Sequence, residues 1–173
     1  MKNALPACAV VLAALLAPAA LAAGDAGLER LDFLLGDWVG SGSGAPGQGS
    51  GTFAFRPGLD GRVLVRSARS EYPAAEGKPA VVHDDLLIVY GSGDRAIYFD
   101  NEGHVIHYAI RADPEAHTTT FLSDDPGPAF RLTYRELAPG RLRVTFEISP
   151  SGKAEDFRTC LDGEALRKGA NGS

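Results

Sequence analysis

The sequence predicts an all-β protein: about ten short antiparallel strands in up-and-down order, closed into a barrel, with a short N-terminal helix in front. Two observations carry this. The stretch Gly36-Asp37-Trp38-Val39-Gly40-Ser41-Gly42-Ser43-Gly44 places glycine at alternate positions around Trp38, the period on which strand side chains change faces. One face of that strand is therefore cleared of Cβ atoms, as a curving barrel wall or a close backbone approach requires. Beyond it, alternating segments recur at regular intervals between glycine- and proline-rich turns, as in barrels and sandwiches.

The elements follow in order. Met1-Lys2-Asn3 carries one cation, and an apolar run from Ala4 to Ala17 leads to Pro18 and then Ala20-Leu21-Ala22. This has the form of a secretory signal peptide, too short to span a bilayer of about 30 Å, with cleavage expected after Ala22 or Ala23. Residues 1–22 are thus assigned to a signal peptide and 23–173 to one barrel domain, periplasmic or secreted. The leader removes one basic residue, Lys2, and no acidic one, so the formal charge moves from −5 to −6. Such a balance disfavours nucleic acid, and no second apolar span exists that would cross a membrane. Cys160 is the one cysteine after the leader. It cannot form an intramolecular disulfide and reads as a small buried hydrophobe in a strand.

Leu28-Glu29-Arg30-Leu31-Asp32-Phe33-Leu34-Leu35 has near-helical apolar spacing and predicts a two-turn helix closed by Gly36. Gly51–Phe55 and Arg62–Arg66 alternate around the tight turn Leu59-Asp60-Gly61. A loop at 72–79 precedes the strand Asp85–Tyr90. Ala96–Phe99 and His104–Ile110 then form a hairpin around Asp100-Asn101-Glu102-Gly103. Four further strands, beginning near Thr118, Phe130, Arg141 and Asp156, are separated by Pro126-Gly127-Pro128, Pro139-Gly140 and Pro150-Ser151-Gly152.

The short helix, the Gly36-x-Trp38 step and the strand count resemble the calycin superfamily of lipocalins and fatty-acid-binding proteins. The ladder from Gly36 to Gly44 is similar to nitrobindin-type haem barrels. Leu31-Asp32-Phe33-Leu34-Leu35-Gly36-x-Trp38 and Leu59-Asp60-Gly61-Arg62 also resemble exported bacterial proteins of a calycin-like family of unknown function. The resemblance implies a cavity for a small apolar ligand, with Trp38 plugging the closed end. For nitrobindins it implies a haem held by a late histidine, yet the last histidine here is His117 and none follows Phe130. Fatty-acid-binding proteins add an inward arginine, for which Arg66, Arg69 and Arg158 are candidates.

Alternation places Phe53 with Phe55, Ile97 with Phe99, Ile106 with Tyr108, Phe130 with Leu132 and Tyr134, and Leu142 with Val144, Phe146 and Ile148 on inward faces. Arg131, Thr133, Arg135, Arg143 and Thr145 then face outward. Candidate ligand-binding residues are Phe53, Phe55, Tyr90, Tyr98, Tyr108, Phe130, Tyr134 and Phe146, the tyrosines as polar handles on an apolar wall. Gly36, Trp38, Gly40 and Gly42 are candidate structural residues. No metal site is expected: His104 and His107 face opposite sides of a strand, and Asp84-Asp85 and Asp124-Asp125 read as solvated edge or turn residues. Gly40-Ser41-Gly42-Ser43-Gly44 lacks the strand–turn–helix context of a nucleophile elbow. Paired carboxylates for catalysis, such as Glu71 and Asp85, are not identifiable without geometry.

Three functions from different classes fit this sequence. The first is an exported, non-catalytic binder of an apolar or amphipathic small molecule, needing no cofactor. The others are a haem barrel acting on nitrogen oxides and a structural or partner-binding barrel with a filled core. Oligomeric state is not encoded in any feature of the sequence.

Overall fold

A computed structural model describes residues 26–44, 49–74, 77 and 79–169; the expected signal peptide lies outside them. The described residues form ten strands in a closed barrel: β1 (Gly36–Gly44), β2 (Gly49–Gly58), β3 (Val63–Tyr72), β4 (Val81–Tyr90), β5 (Arg95–Asp100), β6 (Val105–Asp113), β7 (Thr118–Ser123), β8 (Ala129–Ala138), β9 (Arg141–Ser149) and β10 (Arg158–Arg167). Every strand pairs antiparallel with its sequence neighbours, and β1 pairs with β10 to close the wall. This is the expected up-and-down antiparallel barrel.

One end is sealed. Leu31, Leu34, Trp38 and Phe55 are fully buried there. The Trp38 indole Nε1–H donates to the Leu34 carbonyl at 2.8 Å, and the Arg167 guanidinium lies 4.7 Å from the centre of the indole. The segment before β1 is not the predicted two-turn helix. It is a single α-turn, α1 (Ala26–Glu29), followed by a 3-10 turn at Asp32–Leu34. Leu31 and Leu34 are both fully buried in this arrangement, and Gly27 sits against the β4–β5 turn. A Cβ on Gly27 would stand 1.9 Å from the Ser92 carbonyl oxygen, so only glycine permits that approach.

At this sealed end β2 and β3 are joined by the four residues Leu59–Arg62, of which Leu59 and Asp60 have φ of 52° and 55°, and Gly61 donates its N–H to the Gly58 carbonyl at 3.1 Å. This geometry suits a twisted hairpin and favours asparagine or glycine, whereas Leu59 is 73% exposed and buries little in return. Leu59→Asn is expected to stabilise the fold by about 0.5–1 kcal/mol, read as a higher urea midpoint at unchanged slope.

Strand register assigns the faces. In β8 and β9 the inward set is the one predicted. In β5 it is reversed: Tyr98 pairs with Leu87 and Ile106 on the inner face, while Phe99 pairs with Leu86 and Val105 outside. Ile97 and Phe99 thus face outward, and Ala96, Tyr98 and Asp100 inward. Both faces of β5 are apolar, so its own alternation is uninformative and the neighbouring strands decide. Asp85 is likewise not a solvated edge residue: it lies within β4, in line with buried Leu87 and Val89.

Candidate ligand cavity with one apolar and one charged wall

Above the sealed end the barrel holds a cavity of about 580 Å³. At the end opposite Trp38 its lining includes Tyr72 and Val81, at the close of β3 and the start of β4, and Glu102 and His104 between β5 and β6. Three walls of different chemistry enclose it.

The first is glycine. Gly40 of β1, Gly49 and Gly51 of β2 and Gly163 of β10 all border the cavity. Glycines also pair across these strands, Gly40 with Gly51, and Gly42 with both Gly49 and Gly163. A Cβ on Gly51 would stand 2.9 Å from the Arg69 carbonyl oxygen. The alternating glycines therefore thin the wall where β10, β1 and β2 meet, leaving interior volume that side chains would otherwise occupy.

The second wall is apolar. Phe130 and Leu132 of β8 lie beside Val144, Phe146 and Ile148 of β9 in the cavity lining, and the Phe130 and Phe146 rings stack with centroids 6.3 Å apart. Phe53 and Tyr134 form the floor, 5.8 Å apart.

The third wall, from β3 to β6, is charged. Arg66 points inward from β3 and donates to the Tyr134 hydroxyl and to Asp85 Oδ1. The Arg66 and Asp85 side chains are each only 8% exposed. Burial alone would pull the Arg66 guanidinium down, but Asp85 and Tyr134 outweigh it and raise it above its ordinary value, so it remains charged. Next to this pair, His83 reaches Glu102 at 3.0 Å through Nδ1 and the Tyr98 hydroxyl at 2.8 Å through Nε2. Asp100 accepts from the backbone N–H groups of Glu102 and His104 and approaches His104 Nδ1 at 2.8 Å. Burial disfavours charge on Asp100, but the His104 backbone N–H and ring and the Glu102 N–H together hold its carboxyl below the usual range.

The phenols behave differently. Desolvation pushes the Tyr98, Tyr108 and Tyr134 hydroxyls upward, Asp85 adding to it and Arg66 opposing in each case. All three stay neutral near pH 7 and present rings and O–H groups to the interior.

Of the eight predicted ligand-binding residues, Phe53, Tyr98, Tyr108, Phe130, Tyr134 and Phe146 line the cavity. Phe55 is one layer lower, buried edge-on against Tyr134 at 5.5 Å. Tyr90 is a correction: inward positions in β4 are odd-numbered, so Tyr90 stands on the outer surface, 39% exposed. Of the three candidate arginines only Arg66 is inward; Arg69 lies outside with Glu71 and Asp84, and Arg158 is exposed. Cys160 is no core hydrophobe. It sits on the bulge between Thr159 and Leu161, half-buried at the cavity wall. Sequence reading missed His83, Asp85, Asp100 and His104. The signal for two of them was present, because His83 and Asp85 share odd parity with Leu87 and Val89 on one face of β4.

Both ring nitrogens of His83 are engaged, and His104 stands at the rim with its side chain 59% exposed and tied to Asp100. His107 and His117 lie outside, paired with Asp125 and Glu136. Among the described residues no group of three or more His, Cys, Asp or Glu is arranged to hold a metal ion, and no helix is long and apolar enough to cross a membrane.

Fold and site together define a closed ten-stranded antiparallel barrel, sealed at one end and hollow at the other. Among solved structures, the chain is similar to the S-type phycobiliprotein lyase CPES from Guillardia theta, with TM-score 0.50 and 10% identity over 81% of this chain and 91% of that one. It also matches EF1p2_mFAP2b bound to DFHBI (TM-score 0.40, 11% identity, 80% and 97% covered) and a de novo designed fluorescence-activating β-barrel (TM-score 0.30, 14% identity, 79% and 95% covered). No family model matches the chain, and no curated protein matches it in sequence.

Proposed function

We propose that this protein is an exported, non-catalytic barrel that carries an amphipathic small molecule. The observation that carries the reading is the cavity of about 580 Å³, within the range of small-molecule sites, with stacked Phe130 and Phe146 on one side and buried charge on the other. Export rests on the leader-like pattern of residues 1–22. The likeness to a phycobiliprotein lyase supports the fold beneath this reading. A filled-core barrel lacks its premise here, since the glycine wall leaves the interior hollow.

The test is native mass spectrometry with an absorption spectrum on protein purified from its own host. A colourless sample with a lipid-sized mass increment is the expected result. A Soret band with a haem-sized increment would overturn it. The variant Val144→Trp places an indole in the cavity and is expected to abolish the adduct. Because the space exists, it should do so without the roughly 1–3 kcal/mol penalty of over-packing a filled core.

A further inference from the structure

An inward arginine in a ligand-binding barrel suggests a receptor for a carboxylate, but at Arg66 that place is already taken by a carboxylate of the chain itself, Asp85. Two of its three guanidinium nitrogens already donate, to Asp85 and Tyr134, and the third, Nε, is buried without a partner. An anionic head group would have to displace Asp85, and then lie beside Asp100, which is paired directly opposite Asp85 across β4 and β5. The Asp100 side chain is only 3% exposed. The wall lines the cavity with three carboxylates, Asp85, Asp100 and Glu102, against one guanidinium, with His83 bonded to Glu102 and His104 to Asp100. Glu164, also at the wall, turns its carboxylate to Arg141 at 2.6 Å. Excess negative charge in a low-dielectric pocket repels an anion and attracts a cation.

One acceptor is left open. Among the described residues Asp85 is hydrogen-bonded only through Oδ1; its Oδ2 accepts no hydrogen bond, the His83 Nε2 lies 3.8 Å from it, and Asp85 lines the cavity. Tyr98 and Tyr108 line the same cavity, their rings set edge to face with centroids 6.5 Å apart. A buried carboxylate beside two electron-rich rings is the chemistry that recognises an ammonium group. We propose that the cavity binds a cationic amphiphile, its protonated amine seated on Asp85 between Tyr98 and Tyr108 and its apolar chain along Phe130, Phe146 and Ile148. This rests on the small-molecule-binding reading above and adds the ligand's charge.

Isothermal titration with three probes of equal chain length, all below their micelle concentrations at pH 7, separates the two. Dodecylammonium, dodecanol and dodecanoate share the apolar chain and differ only in the head. Dodecylammonium is expected to bind at least about tenfold tighter than dodecanoate, with dodecanol between them. Dodecanoate binding as tightly as the amine, or tighter, would overturn the inference while leaving the carrier reading intact. Failure of all three to bind would overturn the carrier reading and the inference with it. The double variant Arg66→Met, Asp85→Leu removes the acceptor without stranding a charge. It should erase the amine's advantage over dodecanol; an unchanged preference would overturn the role given to Asp85.

Discussion

Asp85→Asn is expected to destabilise the protein by about 3–5 kcal/mol, because it leaves the Arg66 guanidinium buried at the barrel wall without its counter-charge. The Tyr134 hydroxyl would remain as an acceptor, but a neutral dipole does not offset the desolvation of a full charge. The gain from the intact pair is a different and smaller quantity, since both ions lost their water on folding. The double variant Arg66→Met, Asp85→Leu is therefore expected to recover most of the loss. Urea denaturation of the wild type, Asp85→Asn and the double variant closes the comparison. If the single and double variants were equally destabilised, the damage would lie in packing and not in an orphaned charge.

Trp38→Ala is expected to cost a similar amount, about 3–5 kcal/mol, for reasons of volume. The indole is fully buried, stacks on Phe53 at 6.0 Å, and closes the barrel beneath the cavity while tying β1 to the 3-10 turn through Leu34. Its removal joins a void at the sealed end to the space above Phe53. Trp38→Phe retains part of the packing and loses the Nε1–H bond, so an intermediate loss is expected from it. Thermal unfolding of the two variants against wild type gives the ordering, and a Trp38→Ala protein as stable as Trp38→Phe would show that the plug is not limiting.

The parts of this architecture that could be read from sequence were those where a single strand carries its own contrast. The alternating glycines of β1 and the aromatic–polar alternation of β8 and β9 each give one answer for which face is inside. Strand β5 carries no such contrast, with Ile97 and Phe99 as apolar as Ala96 and Tyr98. Its orientation is set by pairing with Leu87 and Ile106, which no local window contains. The charged wall was hidden for a related reason. Asp84 and Asp85 are adjacent and chemically identical, yet one pairs with Arg69 in solvent and the other with Arg66 in the interior. Alternation along β4 puts them on opposite faces, with Asp85 on that of buried Leu87 and Val89, but Leu86 and Ile88 make the other face apolar too and mask the contrast. The helix was misjudged because near-helical spacing also suits two short turns whose leucines meet one cavity end.

The seam between β1 and β10 has a further consequence, for how the chain acquires its structure. Trp38 pairs with Arg167 and Gly44 with Leu161, so the first strand waits for the last before either has two neighbours. Until then β1 is a glycine-rich ribbon held only by β2, with little side-chain burial to offset its backbone entropy. Loop closure over nearly the whole chain makes the barrel's completion a late, non-local and slow event. The Arg167 guanidinium over the indole ring forms only at that step, so emission from the chain's one tryptophan times the moment of closure.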